Sequence, residues 1–192
     1  MVAIQPKQFT VADFHRLGEL GFFRPDEAVE LIRGEIIQVA PKRTPHSVCN
    51  SRLVKTLIVK IADQATVRGQ EPITLSDKSE PSPDVAIAHN RADEYLTSHP
   101  GPDDLYLVIE ISDSTLKYDR ETKLSVYAEE NITHYWIFNL VEAQLETYSE
   151  PYQDNQGNFS YRVKRVYLSD ESVNLPGLPD ISIKLSEIFP AT

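Results

Sequence analysis

The most apolar stretch of the chain, Leu105-Tyr106-Leu107-Val108-Ile109-Glu110-Ile111-Ser112, carries a carboxylate close to its end. A run this rich in aliphatic residues reads as an interior strand. An ionised carboxylate buried there costs several kcal/mol unless a cation or hydrogen-bond donors compensate it. A second acid, Asp84, opens another apolar run, Val85-Ala86-Ile87-Ala88, directly after Pro81-Ser82-Pro83. Two acids at the ends of core strands demand a common cause, and a divalent metal is the simplest one.

Period and punctuation place the other elements. Thr10 with Asp13 three residues later has the form of a capping box, and Gly21 is a stop, which predicts a helix over 11–20 with Val11, Phe14 and Leu17 on one face. Val29–Ile32 and Glu35–Val39 about Arg33-Gly34 read as a hairpin, with Glu30 and Glu35 beside the turn. Thr44 as N-cap and Pro45 in the first turn open a long helix, whose apolar residues recur from Val48 through Leu53, Leu57 and Ile61 to Ala65, before Gly69. Strands are expected at 73–75, 84–88 and 105–112. A helix over 115–130 follows, capped by Ser114 or Thr115 and ended by Asn131; then come strands at 134–138, 144–148 and 161–168, and a short helix near 185–189. The order predicts one α/β domain over 1–192. Its central mixed β-sheet takes strands near 73–75, 84–88, 105–112 and 134–139, flanked by helices near 45–68 and 115–130. The later strands extend that sheet or form an additional β-hairpin.

Composition narrows the chemistry. With 29 Asp and Glu against 19 Lys and Arg, the formal charge is −10, which counts against a broad grip on phosphate backbones but leaves room for a local basic cleft. Cys49 is the single cysteine, so no internal disulfide and no cysteine cage for zinc can form; a metal would be held by oxygen or histidine. No segment approaches the roughly 20 apolar residues of a membrane span, nor does the beginning of the chain resemble a signal peptide, and a cytoplasmic protein is expected.

Taken in order, Pro83-Asp84, Glu110-Ile111-Ser112, Asp119-Arg120-Glu121-Thr122-Lys123, Tyr127 and Tyr135-Trp136 resemble the bacterial Uma-two family, a branch of the PD-(D/E)XK nuclease superfamily. Val29-Glu30-Leu31-Ile32-Arg33-Gly34-Glu35 and His46 join the similarity, which spans most of residues 9–140. The resemblance implies a restriction-endonuclease-like core and a metal-dependent endonuclease acting on DNA, with Asp84 and Glu110 binding Mg²⁺ or Mn²⁺. Lys123 would position the attacking water or stabilise phosphoryl charge, and Glu30 would complete the metal shell directly or through water. A homodimer is expected on the same ground. The parent pattern sets its lysine two residues after the second acid, where this chain has Ser112; within the family the lysine is taken to stand on the following helix, and Lys123 fits.

Each residue also has a plainer reading. Asp84 can accept backbone hydrogen bonds after a proline turn, and Glu110 can be a strand-end charge reaching solvent. Lys123 can be a solvated helix residue paired with Asp119, four positions earlier, which would orient its amine or tie it up. Tyr127 shares that helix face, where it would wall the pocket. His46 reads as a capping or packing histidine that could hydrogen-bond a phosphate or a site carboxylate. Tyr135 and Trp136 read as core, and Cys49 as a small buried residue. The rival functions are an inactive binding module on a nuclease scaffold and a hydrolase of another phosphoester.

Overall fold

The computed structural model describes residues 6–190. Helix α1 (Val11–Glu19) leads into the hairpin β1 (Val29–Ile32) and β2 (Glu35–Gln38), followed by α2 (Thr44–Ile61), β3 (Thr66–Gly69), β4 (Val85–Ala88) and β5 (Leu105–Ser112). A single helical run then comprises α3 (Leu116–Tyr118), a π-helical turn (Asp119–Lys123) and α4 (Leu124–Glu129). Strands β6 (His134–Asn139), β7 (Gln144–Gln153), β8 (Phe159–Leu168), β9 (Ser172–Leu175) and β10 (Leu178–Lys184) complete the chain, with a 3₁₀ turn at Leu185–Glu187.

Six strands form one mixed sheet in the order β3-β4-β5-β6-β7-β8. All its neighbours are antiparallel except β5 and β6, which run parallel. A parallel pair needs a crossover, and here the helical run from α3 to α4 supplies it. This connection sets the helix bearing Lys123 over the sheet face that carries Glu110. On the opposite face α2 packs Leu53, Leu57 and Ile61 against Val85, Ile87, Leu107 and Ile109, together with Val173 and Ile183 of the β9–β10 hairpin. The helical face encloses Ala86, Val108, Tyr135 and Ile137 under Val126 and Ala128. Tyr135, Trp136 and Cys49 are all buried, as expected.

The capping box at Thr10 is present, each partner bonding the other's backbone. Arg33 and Gly34 both have positive φ, 50° and 77°, as a tight hairpin turn demands. Three expectations are corrected. The long helix stops at Ile61, not near residue 68: Ala62 turns to φ +49° and the chain reverses into β3. Residues 73–75 are no sheet strand; their amides bond the carbonyls of Pro81, Pro100 and Ser79 in an irregular connection. The cap of α2 is Arg43, with Thr44 already helical. Beyond Leu175, the Pro176-Gly177 turn produces the β9–β10 hairpin, which the proline-rich sequence had concealed.

Gly177 is fixed by a close approach. Its φ is +74°, and an added Cβ would fall 2.2 Å from Cδ1 of Tyr106. Gly177→Ala therefore combines backbone strain with a ring clash, and a loss of about 1–3 kcal/mol is expected in urea denaturation.

Candidate metal centre

Register brings the two acids together. In the β4–β5 ladder Val85 faces Ile109 and Ala86 faces Val108, so one step outward Asp84 stands opposite Glu110 on the same face. Side chains paired this way have Cβ atoms about 5 Å apart. The contact is reciprocal: the Asp84 amide approaches Glu110 Oε2 at 3.4 Å, and the Ile111 amide donates to Asp84 Oδ2 at 2.8 Å. Both acids are buried and line one cavity of ≈ 210 Å³. Glu110 therefore does not reach solvent as a strand-end charge.

Glu30 arrives from β1. Residues 79–82 run beside that strand, with the Glu80 amide on the Leu31 carbonyl, and the Ser82 amide donates to Glu30 Oε1 at 3.1 Å. Lys123 lies between the acids, donating to Glu110 Oε1 at 2.9 Å and to Glu30 Oε1 at 3.0 Å. Tyr127, one turn on, donates its hydroxyl to the same Glu110 oxygen at 2.8 Å.

Asp119 is not the partner of Lys123. It accepts from Ser112 Oγ at 2.7 Å and from Thr115 Oγ1 at 2.6 Å. The reason is local. Four-residue spacing pairs side chains in an α-helix, but residues 119–123 form a π turn, in which the Leu124 amide reaches back to the Asp119 carbonyl. A π turn inside a helix commonly marks a functional position. Here it leaves Asp119 on the end of β5 and frees Lys123 for the site acids.

His46 sits in the first turn of α2 and bonds Asp84 Oδ2 through Nε2 at 2.9 Å, so it serves a site carboxylate. Lys42, which sequence reasoning missed, donates to Asp84 Oδ1 at 2.9 Å. Next to it, Arg43 forms a two-point pair with Asp113 just past β5. No periodicity or motif marks Lys42; its proximity to Asp84 exists only once β2, α2 and β4 are assembled.

Charge explains the arrangement. Burial pushes Asp84 up, but the hydrogen bond and charge of His46, with Lys42, outweigh it and hold this carboxyl below its ordinary range. For Glu110, burial pushes the pKa up, Lys123 opposes, and the surrounding Asp84, Asp119 and Glu30 add to the rise. Burial alone would lower Lys123, yet Glu110 and Glu30 more than reverse this and keep the ammonium charged.

The donor set fits a hard cation. Oxygen ligands from carboxylates suit Mg²⁺ or Mn²⁺, and the acids crowd one another in a way that a cation relieves. Among the described residues Glu110 Oε2 has only the long 3.4 Å contact, and buried Glu30 Oε2 meets no hydrogen-bond geometry although it lies 2.9 Å from Lys123 Nζ. Among the described residues no three His, Cys, Asp or Glu side chains are gathered to hold an ion by themselves. That suits Mg²⁺, which usually takes one or two carboxylates and keeps several waters.

A mixed sheet with two acids opposed on adjacent strands, and a lysine-bearing crossover helix above them, defines the restriction-endonuclease-like class. The chain belongs to the Uma2 family: the family model described as "Putative restriction endonuclease" matches residues 11–186. Among solved structures it is similar to one described as "a putative nuclease belonging to DUF820 from Anabaena variabilis", with TM-score 0.71 and 17% identity over 94% of this chain and 97% of that one. This likeness shows the fold. No curated protein matches the chain. Among the described residues no helix is long and apolar enough to cross a membrane.

Proposed function

We propose that this chain is a divalent-metal-dependent endonuclease that hydrolyses DNA phosphodiester bonds, with Asp84 and Glu110 binding Mg²⁺ or Mn²⁺. The observation that carries this reading is the pairing of Asp84 with Glu110 across two strands, with Lys123 bonded to Glu110. When bound, the ion would polarise the phosphate and lower the pKa of a coordinated water. His46 and the Ile111 amide hold Asp84 in one orientation. Tyr127 and Lys123 do the same for Glu110. Lys123, kept as an ammonium by two carboxylates, orients the attacking water or stabilises charge developing on phosphoryl oxygens. Glu30 serves chiefly to hold that ammonium, and Asp119 with Ser112 and Thr115 secures the π turn.

One observation favours a second reading. Both cations at the cavity edge, Lys42 and Arg43, are already paired with acids, which suits a phosphoester smaller than duplex DNA. Plasmid DNA incubated with Mg²⁺ or Mn²⁺ is expected to be nicked or cut, and EDTA to stop it. Hydrolysis of bis(p-nitrophenyl) phosphate with no plasmid cleavage would replace the DNA reading by the second one; hydrolysis of neither would refute both.

A further inference from the structure

The two oxygens of Asp84 are held very differently. Oδ2 accepts a main-chain amide and a buried imidazole, both fixed by the sheet and by α2. Among the described residues Oδ1 accepts only from Lys42, whose side chain is 34% exposed and whose backbone lies in the irregular connection between β2 and α2. The other site lysine is the opposite case: Lys123 is 6% exposed, grows from a helix, and bridges two buried acids. Of these two ammonium groups, that of Lys42 can leave with Asp84 still bonded to His46 and the Ile111 amide, and without moving an element of secondary structure.

We propose that Lys42 is an exchangeable occupant of the metal position: its ammonium rests on Asp84 Oδ1 in the ion-free protein, yields that oxygen when a divalent ion binds, and then takes a phosphate oxygen of the substrate. This rests on the reading of Asp84 as a metal ligand. A flexible four-carbon stem and a compact charge suit lysine to such an exchange. The neighbouring Arg43–Asp113 pair keeps the connection against the end of β5, so the released ammonium stays at the cavity edge where a polyanion would enter. Ion and substrate then bind with positive coupling, because the first releases the group that receives the second.

The test measures Mn²⁺ affinity of the ion-free protein by electron paramagnetic resonance, without substrate, for the wild type, Lys42→Met and Asp84→Asn. Removing a half-open competing ion pair is expected to tighten Mn²⁺ binding about five-fold in Lys42→Met. The same variant, with Ca²⁺ in place of the catalytic ion, is expected to bind a fluorescent DNA duplex several-fold more weakly. Unchanged or weaker Mn²⁺ binding in Lys42→Met, with binding lost in Asp84→Asn, would overturn the exchange while leaving the metal site standing. Mn²⁺ binding unaffected by Asp84→Asn would instead remove the site on which the proposal rests. Tighter Mn²⁺ binding with unchanged DNA affinity would overturn the transfer to phosphate. Circular dichroism and the thermal midpoint establish that Lys42→Met is folded, and Lys42→Gln repeats the comparison with a polar side chain.

Discussion

Lys123→Met is expected to destabilise the ion-free protein by about 3–5 kcal/mol, because it strands two buried carboxylates instead of removing a surface charge. Glu30 and Glu110 are each at most 5% exposed, and Lys123 is the cation that both share. Urea denaturation in EDTA measures the loss. Adding Glu30→Gln to Lys123→Met should recover part of it, since one stranded charge is then gone. An unchanged urea midpoint would mean that Lys123 is solvated and that the buried bridge is wrong. In cleavage assays at saturating Mg²⁺, the same single variant is expected to lower kcat by roughly a hundred-fold or more, the scale of losing one preorganised donor to phosphoryl charge.

Asp84→Asn and Glu110→Gln are expected to have larger effects on activity and smaller ones on stability. Each variant keeps the volume and some of the hydrogen bonds: an amide oxygen at position 84 can still accept from the Ile111 amide, and one at position 110 from Tyr127. Each removes the negative charge that a divalent ion requires. Cleavage should fall below detection, and Mn²⁺ affinity should drop at least about a hundred-fold, the upper scale for losing even an outer-shell partner of a metal ligand. Cleavage at the wild-type rate in either variant would refute the assignment.

What sequence made legible was local chemistry and period. Thr10 and Asp13 announce the first cap, Arg33-Gly34 the hairpin turn, and Glu110 within an aliphatic run announces its own need for compensation. The ordered acids and Lys123 carry the family resemblance in the sequence alone. Other features depend on tertiary structure. Thr66–Gly69 has no apolar run to mark a strand and gains its identity by pairing with β4. Ala62 adopts positive φ with no glycine to signal it. The π turn shifts side-chain partners without any change in composition, so an Asp119–Lys123 pair looked natural in sequence and is absent among the described residues. Lys42 reaches Asp84 from 42 positions away, which no short-range pattern encodes.

The proposed chemistry requires that Asp84 and Glu110 share one cation beside the Lys123 ammonium. Anomalous diffraction from crystals soaked in Mn²⁺ tests it most directly. One strong peak is expected in the cavity, about 2.0–2.3 Å from an oxygen of each acid, with Lys123 still bonded to Glu110. A peak bound elsewhere, or one that touches only a single member of the pair, would contradict it.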